Sequence, residues 1–336
     1  MKFQILYLLA FASAFATALV ALPPWKRWCI RAGLVDDPGE RKIHSESIPL
    51  AGGLAVMTAL VVPTLAALLV IFLAHDGAMQ SVRLPFLDSE RINALVHGLN
   101  VRGLRLAVIL LGACGILFVG LLDDKHELRP SVKFLGQFLV ALAVAATGVR
   151  ITLFVHNAFF SYAVTILWIV TVINAFNFMD NMNGLCGGLG AIAAFFFGVT
   201  AVTAVVPQHL VALIAFLICG ALLGFLPYNF PRARAFLGDG GSHLVGFLLA
   251  VLAILPHFYT SQQPHAWAVL KPLLILAVPL GDLLWVVIMR WRLGKPFYVG
   301  DTNHLSHRLV QSGMTRPGAV ALIWAIAAAL GAFALI

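Results

Sequence analysis

Ten apolar runs dictate what this chain can fold into. They fall at about 3–22, 48–74, 104–122, 134–150, 160–176, 187–206, 209–228, 243–262, 267–289 and 318–335. A helix needs about 20 apolar residues to cross a hydrocarbon layer about 30 Å thick. Inside lipid every peptide group must find its partner within the fold, which leaves helices as the spanning form for runs of this kind. The weakest division is between 187–206 and 209–228, which only Pro207 and Gln208 separate. Charged residues make up 11% of the 336 positions, where a soluble domain carries about 25%. The expected fold is therefore all-α: a polytopic integral membrane protein of about ten transmembrane helices, forming a single transmembrane domain over residues 1–336. The run at 3–22 is read as the first of these helices and not as a cleaved leader, since no soluble region follows it.

The formal charge of +8 does not point to nucleic acid, because no basic tract is longer than two residues. In a membrane protein such an excess follows topology. Ten spans place the loops at about 23–47, 123–133, 177–186, 229–242 and 290–317 on one side, and these hold 15 of the 22 lysines and arginines. That side is expected to be cytoplasmic, with both termini outside. The same loops hold ten of the 14 acids, which topology does not require. Acids, amides and histidines gathered on one face suggest an active site. The four cysteines, Cys29, Cys114, Cys186 and Cys219, form no CxxC pair and imply neither disulfides nor zinc.

Asp123 and Asp124 sit side by side where the third run ends. Two carboxylates beside hydrocarbon are costly unless a cation, a proton or water compensates them. Lys133 follows nine residues later and either holds a phosphate or marks the next helix. The stretch Asn174–Gly184 carries four asparagines and Asp180, more than helix capping needs. In Gly238-Asp239-Gly240-Gly241-Ser242 the glycines permit close backbone approach and Asp239 offers a hard oxygen. A turn with an N-cap fits that stretch equally well, and it lacks the lysine of a nucleotide-binding P-loop. His304 and His307, three apart, would share one helical face; without cysteine partners they do not suggest zinc. The first loop brings Arg41 and His44 before a small-residue helix start at Ala51-Gly52-Gly53, either to receive an anionic headgroup or as an ordinary basic loop.

Taken together, DDPGERKIHSESIPLAGG, GLLDDKHELRPSVKFLGQ, NAFNFMDNMNGLCGG, FLGDGGSHLVGF, PLGD and HLSHRL, in that order across about residues 34–316, resemble the polyprenyl-phosphate N-acetylhexosamine-1-phosphate transferases. The resemblance implies a bacterial cytoplasmic-membrane enzyme with its active site facing the cytoplasm. Such an enzyme moves a sugar-1-phosphate from a UDP-N-acetylhexosamine to undecaprenyl phosphate and releases UMP. It implies Mg²⁺, with Mn²⁺ able to stand in, and is compatible with a homodimer whose interface the sequence does not identify. By resemblance, Asp239 and Asn177 match metal-ligand positions, and Asp123 and Asp124 the paired acids, with Asp123 as the base towards the lipid phosphate. Asp180 and Asn183 match the nucleotide pocket; Lys133, His304 and His307 match groups that steady phosphates; Arg41 and His44 are added as substrate-binding residues.

Two departures stand out. Asn183 occupies a position where many relatives have a second Asp, which suits hydrogen bonding to uracil better than metal ligation. In His304-Leu305-Ser306-His307, Ser306 replaces a histidine of the HxHH pattern common in bacterial relatives. The loop lacks the consecutive histidines of the UDP-MurNAc-pentapeptide branch, so UDP-GlcNAc is the expected donor; that pentapeptide or another UDP-N-acetylhexosamine is the alternative. The main rival of another class is a secondary transporter. Transporters place ionisable groups near the midplane, whereas only Asp282 lies well inside a run here. A CDP-alcohol phosphotransferase is disfavoured, because its spaced-aspartate motif is missing.

Overall fold

The computed structural model describes residues 2–37, 46–75, 89–152, 155, 157–256, 269–296 and 303–336. The chain is an all-α polytopic membrane protein. Its helices are α1 (Lys2–Ala32), α2 (Gly52–His75), α3 (Ser89–His126), α4 (Pro130–Ala146), α5 (Ala158–Met179), α6 (Leu185–Thr203), α7 (His209–Phe225), α8 (Gly238–Leu252), α9 (Lys271–Ile275), α10 (Ala277–Arg292), α11 (Leu305–Gln311) and α12 (Arg316–Phe333). Among the described residues every predicted apolar run contains a helix, the ninth both α9 and α10; residues 257–262 and 267–268 of the eighth and ninth runs lie outside them. Seven of them, α1, α2, α3, α5, α6, α7 and α12, are long and apolar enough to cross a membrane. The helices of the other three runs, α4, α8 and α10, have 17, 15 and 16 residues, so among the described residues seven of the ten expected spans are met at full length.

Several boundaries differ from the sequence reading; α8, for one, runs from Gly238 to Leu252 where the apolar run spans 243–262. Residues 23–32 are not loop: α1 continues through Pro23 and Pro24 to Ala32. Packing explains the extension, since Trp25 Nε1 donates to Thr58 Oγ1 of α2 at 2.9 Å and Cys29 is buried. Helix α3 begins at Ser89 and not near 104, so its 38 residues run about 57 Å, well beyond the hydrocarbon.

Helix α8 is the axis of the bundle. All its residues from Gly240 to Leu252 are buried, and it packs against α2, α3, α5 and α6. A helix apolar on every side belongs inside a bundle, and large side chains such as Leu8, Leu104, Phe118 and Leu167 face outward instead. Without a water-driven hydrophobic effect, membrane helices associate through close packing at small residues. Helices α1 and α7 do so at Gly220-x-x-x-Gly224, where a Cβ on Gly220 would stand 2.2 Å from the Phe11 carbonyl oxygen.

At one end of the bundle the connections are knitted together. Strands β1 (Val35–Asp36) and β2 (Ile48–Pro49) pair antiparallel after α1. Phe236 N donates to the Pro49 carbonyl at 3.0 Å, and Gly52 N to the Phe236 carbonyl at 2.8 Å. The segment entering α2 is thereby tied to the segment entering α8.

Gly220→Ala is expected to destabilise the protein by about 1–3 kcal/mol through overpacking, read as a lower melting temperature in detergent. Gly98→Ala, where an added Cβ meets nothing within 4 Å, is the control and should leave the melt unchanged or raise it slightly.

Candidate active site

The knitted end gathers the C-terminal ends of α3 and α5 with the N-terminal ends of α4, α6 and α8. Asp124, in the last turn of α3, accepts from Asp239 N at 2.7 Å on Oδ1 and from Gly240 N at 3.1 Å on Oδ2. The first N–H groups of any helix lack intrahelical acceptors. Asp124 supplies two of them, and its charge suits the positive end of the helix dipole. The approach is close: a Cβ on Gly120 would lie 2.4 Å from Gly240 Cα. Gly238 precedes Asp239 at φ +71°, a conformation glycine adopts without strain. The glycine-rich stretch is thus the first turn of α8, pinned against α3, and not a free loop.

That pinning aims Asp239 outward from the axis. Its Oδ1 accepts from Asn177 Nδ2 at 2.9 Å, and its Oδ2 lies 3.4 Å from Lys133 Nζ. Asn177 Nδ2 also reaches Ser242 Oγ at 3.0 Å, which leaves the Asn177 amide oxygen pointing away from those two contacts. Lys133, one turn into α4, forms an ion pair with Asp123 as well. Asp123 is buried; its Oδ1 accepts from Leu128 N at 2.8 Å. Apart from the Lys133 ammonium, Asp123 Oδ2 has no hydrogen-bond donor among the described residues. One ammonium therefore bridges two carboxylates in a cluster that holds four: Asp123, Asp124, Asp239 and, beyond Asn177, Asp180.

Asp180 caps the C-terminus of α5. Desolvation, followed by the nearby charges of Asp239 and Asp124, pushes its carboxyl up to about 8. At neutral pH such a group is mostly an O–H donor, suited to a neutral acceptor. Asn183 lies on the exposed side of the same turn, with Nδ2 3.3 Å from the Pro231 carbonyl. Asn229, buried, holds this turn by accepting from Gly184 N at 2.6 Å and donating to the Ala235 carbonyl at 2.9 Å.

His304 and His307 flank the start of α11, with ring centroids 6.2 Å apart. His304 packs edge-on to Phe178, the residue after Asn177, with centroids 5.6 Å apart. Ser306 Oγ donates to Asn181 Oδ1 at 2.6 Å, so the serine that departs from the histidine pattern docks α11 on the end of α5. Arg41 and His44 lie outside the described residues.

The structure thus joins Asp123, Asp124, Lys133, Asn177 and Asp239 by direct contacts and sets His304 against the same end of α5. It also adds residues that the sequence reading did not place in the site. Ser242 and Asn229 carried no signal beyond their loops. Asp282 did: it is the one acid well inside an apolar run, and the structure gives it to His304 at 2.7 Å. Among the described residues no group of three or more His, Cys, Asp or Glu side chains is arranged to hold a metal ion by itself.

A family model described as glycosyl transferase family 4 matches residues 106–257. That stretch contains Asp123, Asp124, Lys133, Asn177, Asp180, Asn183 and Asp239 but neither His304 nor His307. A probable undecaprenyl-phosphate N-acetylglucosaminyl 1-phosphate transferase of Bacillus subtilis is 29% identical, covering 94% of this chain and 81% of the relative. A decaprenyl-phosphate N-acetylglucosaminephosphotransferase of Mycobacterium leprae is 32% identical over 94% and 78%. An undecaprenyl-phosphate alpha-N-acetylglucosaminyl 1-phosphate transferase of Yersinia pestis is 28% identical over 98% and 82%.

The hydrogen-bond pattern separates the paired acids. Asp124→Asn replaces one charged acceptor at the α8 N-terminus with an N–H group and should cost about 1–3 kcal/mol of stability. Asp123→Asn keeps an acceptor for Leu128 N and removes one of two carboxylates sharing Lys133, so its melting temperature should not fall. Thermal melts of the two purified variants check this.

Proposed function

The chain belongs to glycosyl transferase family 4, and from that premise we propose that it transfers GlcNAc-1-phosphate from UDP-GlcNAc to undecaprenyl phosphate. UMP leaves, and a lipid-linked pyrophosphoryl sugar that starts a surface glycan is formed. The observation that carries this reading is the cluster of Asp123, Asp239 and Lys133 at one end of a helical bundle. The relatives' names supply the donor sugar and the prenyl acceptor. The charge bias read from the sequence supports a cytoplasmic position for this end, and the bacterial relatives support the inner membrane as its location.

Phosphoryl transfer needs positioning and charge neutralisation more than covalent machinery. In this account Asp123 takes the proton from the acceptor lipid phosphate. A phosphate oxygen then attacks the β-phosphorus of the donor while its bond to the UMP oxygen breaks. Lys133, between Asp123 and Asp239, orients the phosphates as a point charge. Asp124 acts through the backbone, holding Asp239 in place. Asp180 and Asn183, on the turn after α5, offer donors to the uracil edge.

A divalent cation fits the donor set. Asp239, Asp123 Oδ2 and the Asn177 amide oxygen are hard ligands, and the carboxylates of Asp123, Asp124 and Asp239 exceed the single neighbouring ammonium. Mg²⁺ keeps several waters and takes only one or two carboxylates, so a site with few protein ligands suits it, and Mn²⁺ shares the preference. When bound, it would neutralise charge on the pyrophosphate.

The test is UMP release from detergent-purified protein with undecaprenyl phosphate and Mg²⁺, offered UDP-GlcNAc, UDP-GalNAc or UDP-MurNAc-pentapeptide in turn. Release is expected with UDP-GlcNAc, abolished by EDTA and restored by excess Mg²⁺. Asp239→Asn and Asp123→Asn should each lower kcat at least about 100-fold, the scale of losing one positioned charge or base. Release with the pentapeptide donor alone would overturn the donor assignment, and silence with every donor would overturn the reaction.

A further inference from the structure

Asp282 is a buried carboxylate in the second turn of α10, 4% exposed, and the reaction described above gives it no task. A carboxylate in an apolar helix is costly unless its oxygens are satisfied. Both of them face the start of α11. Oδ1 accepts from Leu305 N at 2.7 Å, and Oδ2 lies 2.7 Å from His304 Nδ1. A carboxylate only accepts, so the imidazole proton sits on Nδ1.

The rest of the ring is fixed as well. Phe178 meets His304 edge-on, and the buried Arg290 guanidinium lies 4.9 Å from the Phe178 ring centroid. The Ser306–Asn181 hydrogen bond and the bond from Asn181 Nδ2 to the Phe178 carbonyl, 2.6 Å each, tie α11 to the end of α5. Of the two ring nitrogens, Nε2 makes no hydrogen bond among the described residues.

We propose that Asp282 is a positioning residue that holds His304 with its proton on Nδ1 and presents Nε2 to a phosphate of the nucleotide-sugar donor. The proposal rests on the phosphosugar-transfer reading. A proton taken up from solvent at Nε2 makes the ring an imidazolium whose charge Asp282 balances, and Nε2–H then donates to a phosphate oxygen. Such a charge-assisted bond is about twice as strong as its neutral counterpart. The orienting carboxylate plays the part that outer partners play for functional histidines elsewhere. A purely structural role, stapling α11 through Leu305 N, would need only Oδ1.

Asp282→Asn separates the two roles. Its side-chain oxygen still accepts from Leu305 N, while its amide N–H group faces Nδ1 and drives the ring proton to Nε2. In ¹⁵N-histidine NMR spectra, with the His304 signals assigned by their absence from His304→Gln, the neutral ring is expected to carry its proton on Nδ1 in the wild type and on Nε2 in the variant. The kcat/KM for UDP-GlcNAc should fall at least about ten-fold in Asp282→Asn, yet change less than about two-fold when Asp282→Asn is added to His304→Gln.

Additive losses, or an Nε2–H ring in the wild type, would overturn the proposal. If Asp282→Asn does not fold, the wild-type spectrum alone decides. A wild type that releases no UMP would sink the transfer reading instead, and the tautomer measurement would still decide whether Asp282 sets the ring.

Discussion

The first turn of α8 must be satisfied inside the bundle, and much of the site depends on how that is done. Its free N–H groups need acceptors, and Asp124 reaches across from α3 to accept from Asp239 and Gly240. Two consequences follow. The backbones of α3 and α8 must nearly touch, which requires glycine at 120. Asp239, the residue whose own N–H is held, then has its side chain fixed between Asn177 and Lys133. A structural necessity at a helix end thereby becomes the means of placing a functional carboxylate.

The resulting cluster is over-supplied with acid. Four acids share this end of the bundle with one lysine that pairs with two of them, Asp123 and Asp239, and another, Asp180, has its carboxyl pushed up to about 8 by desolvation and by its neighbours. Such an arrangement is poor for stability and well suited to binding a cation and phosphates, a trade common at active sites. Its position at one end of the bundle also argues against transport. A transporter needs its ionisable groups along a path through the midplane. Here the one acid well inside a predicted span, Asp282, is satisfied by His304 and Leu305.

The helices and much of the site were legible in the sequence because apolar runs and clustered acids are local signals. Each of the ten runs contains a helix among the described residues. The residues that contact one another, Asp123, Asp124, Lys133, Asn177 and Asp239, come from motifs visible by eye. What the sequence could not show was long-range. The passage of α1 through Pro23 and Pro24 depends on Trp25 meeting Thr58. The different tasks of the adjacent Asp123 and Asp124 depend on which way each faces. Asp282 could be singled out as unusual, but its partnership with His304 spans 22 positions and leaves no periodic trace. Ser306 likewise looked like a missing histidine until its bond to Asn181 gave it a role of its own.

The proposed reaction turns on the bond that is made and the bond that is broken: phosphorus–oxygen at the β-phosphate, not carbon–oxygen at the sugar. Incubating the protein with undecaprenyl phosphate, Mg²⁺ and UDP-GlcNAc labelled with ³²P at either the α or the β position tests this directly. The account predicts that β-label passes into the butanol-extractable lipid while α-label stays in water as UMP. β-Label that remains in the aqueous phase as UDP while the sugar moves to lipid would contradict it, and would make the protein a transferase of sugar alone.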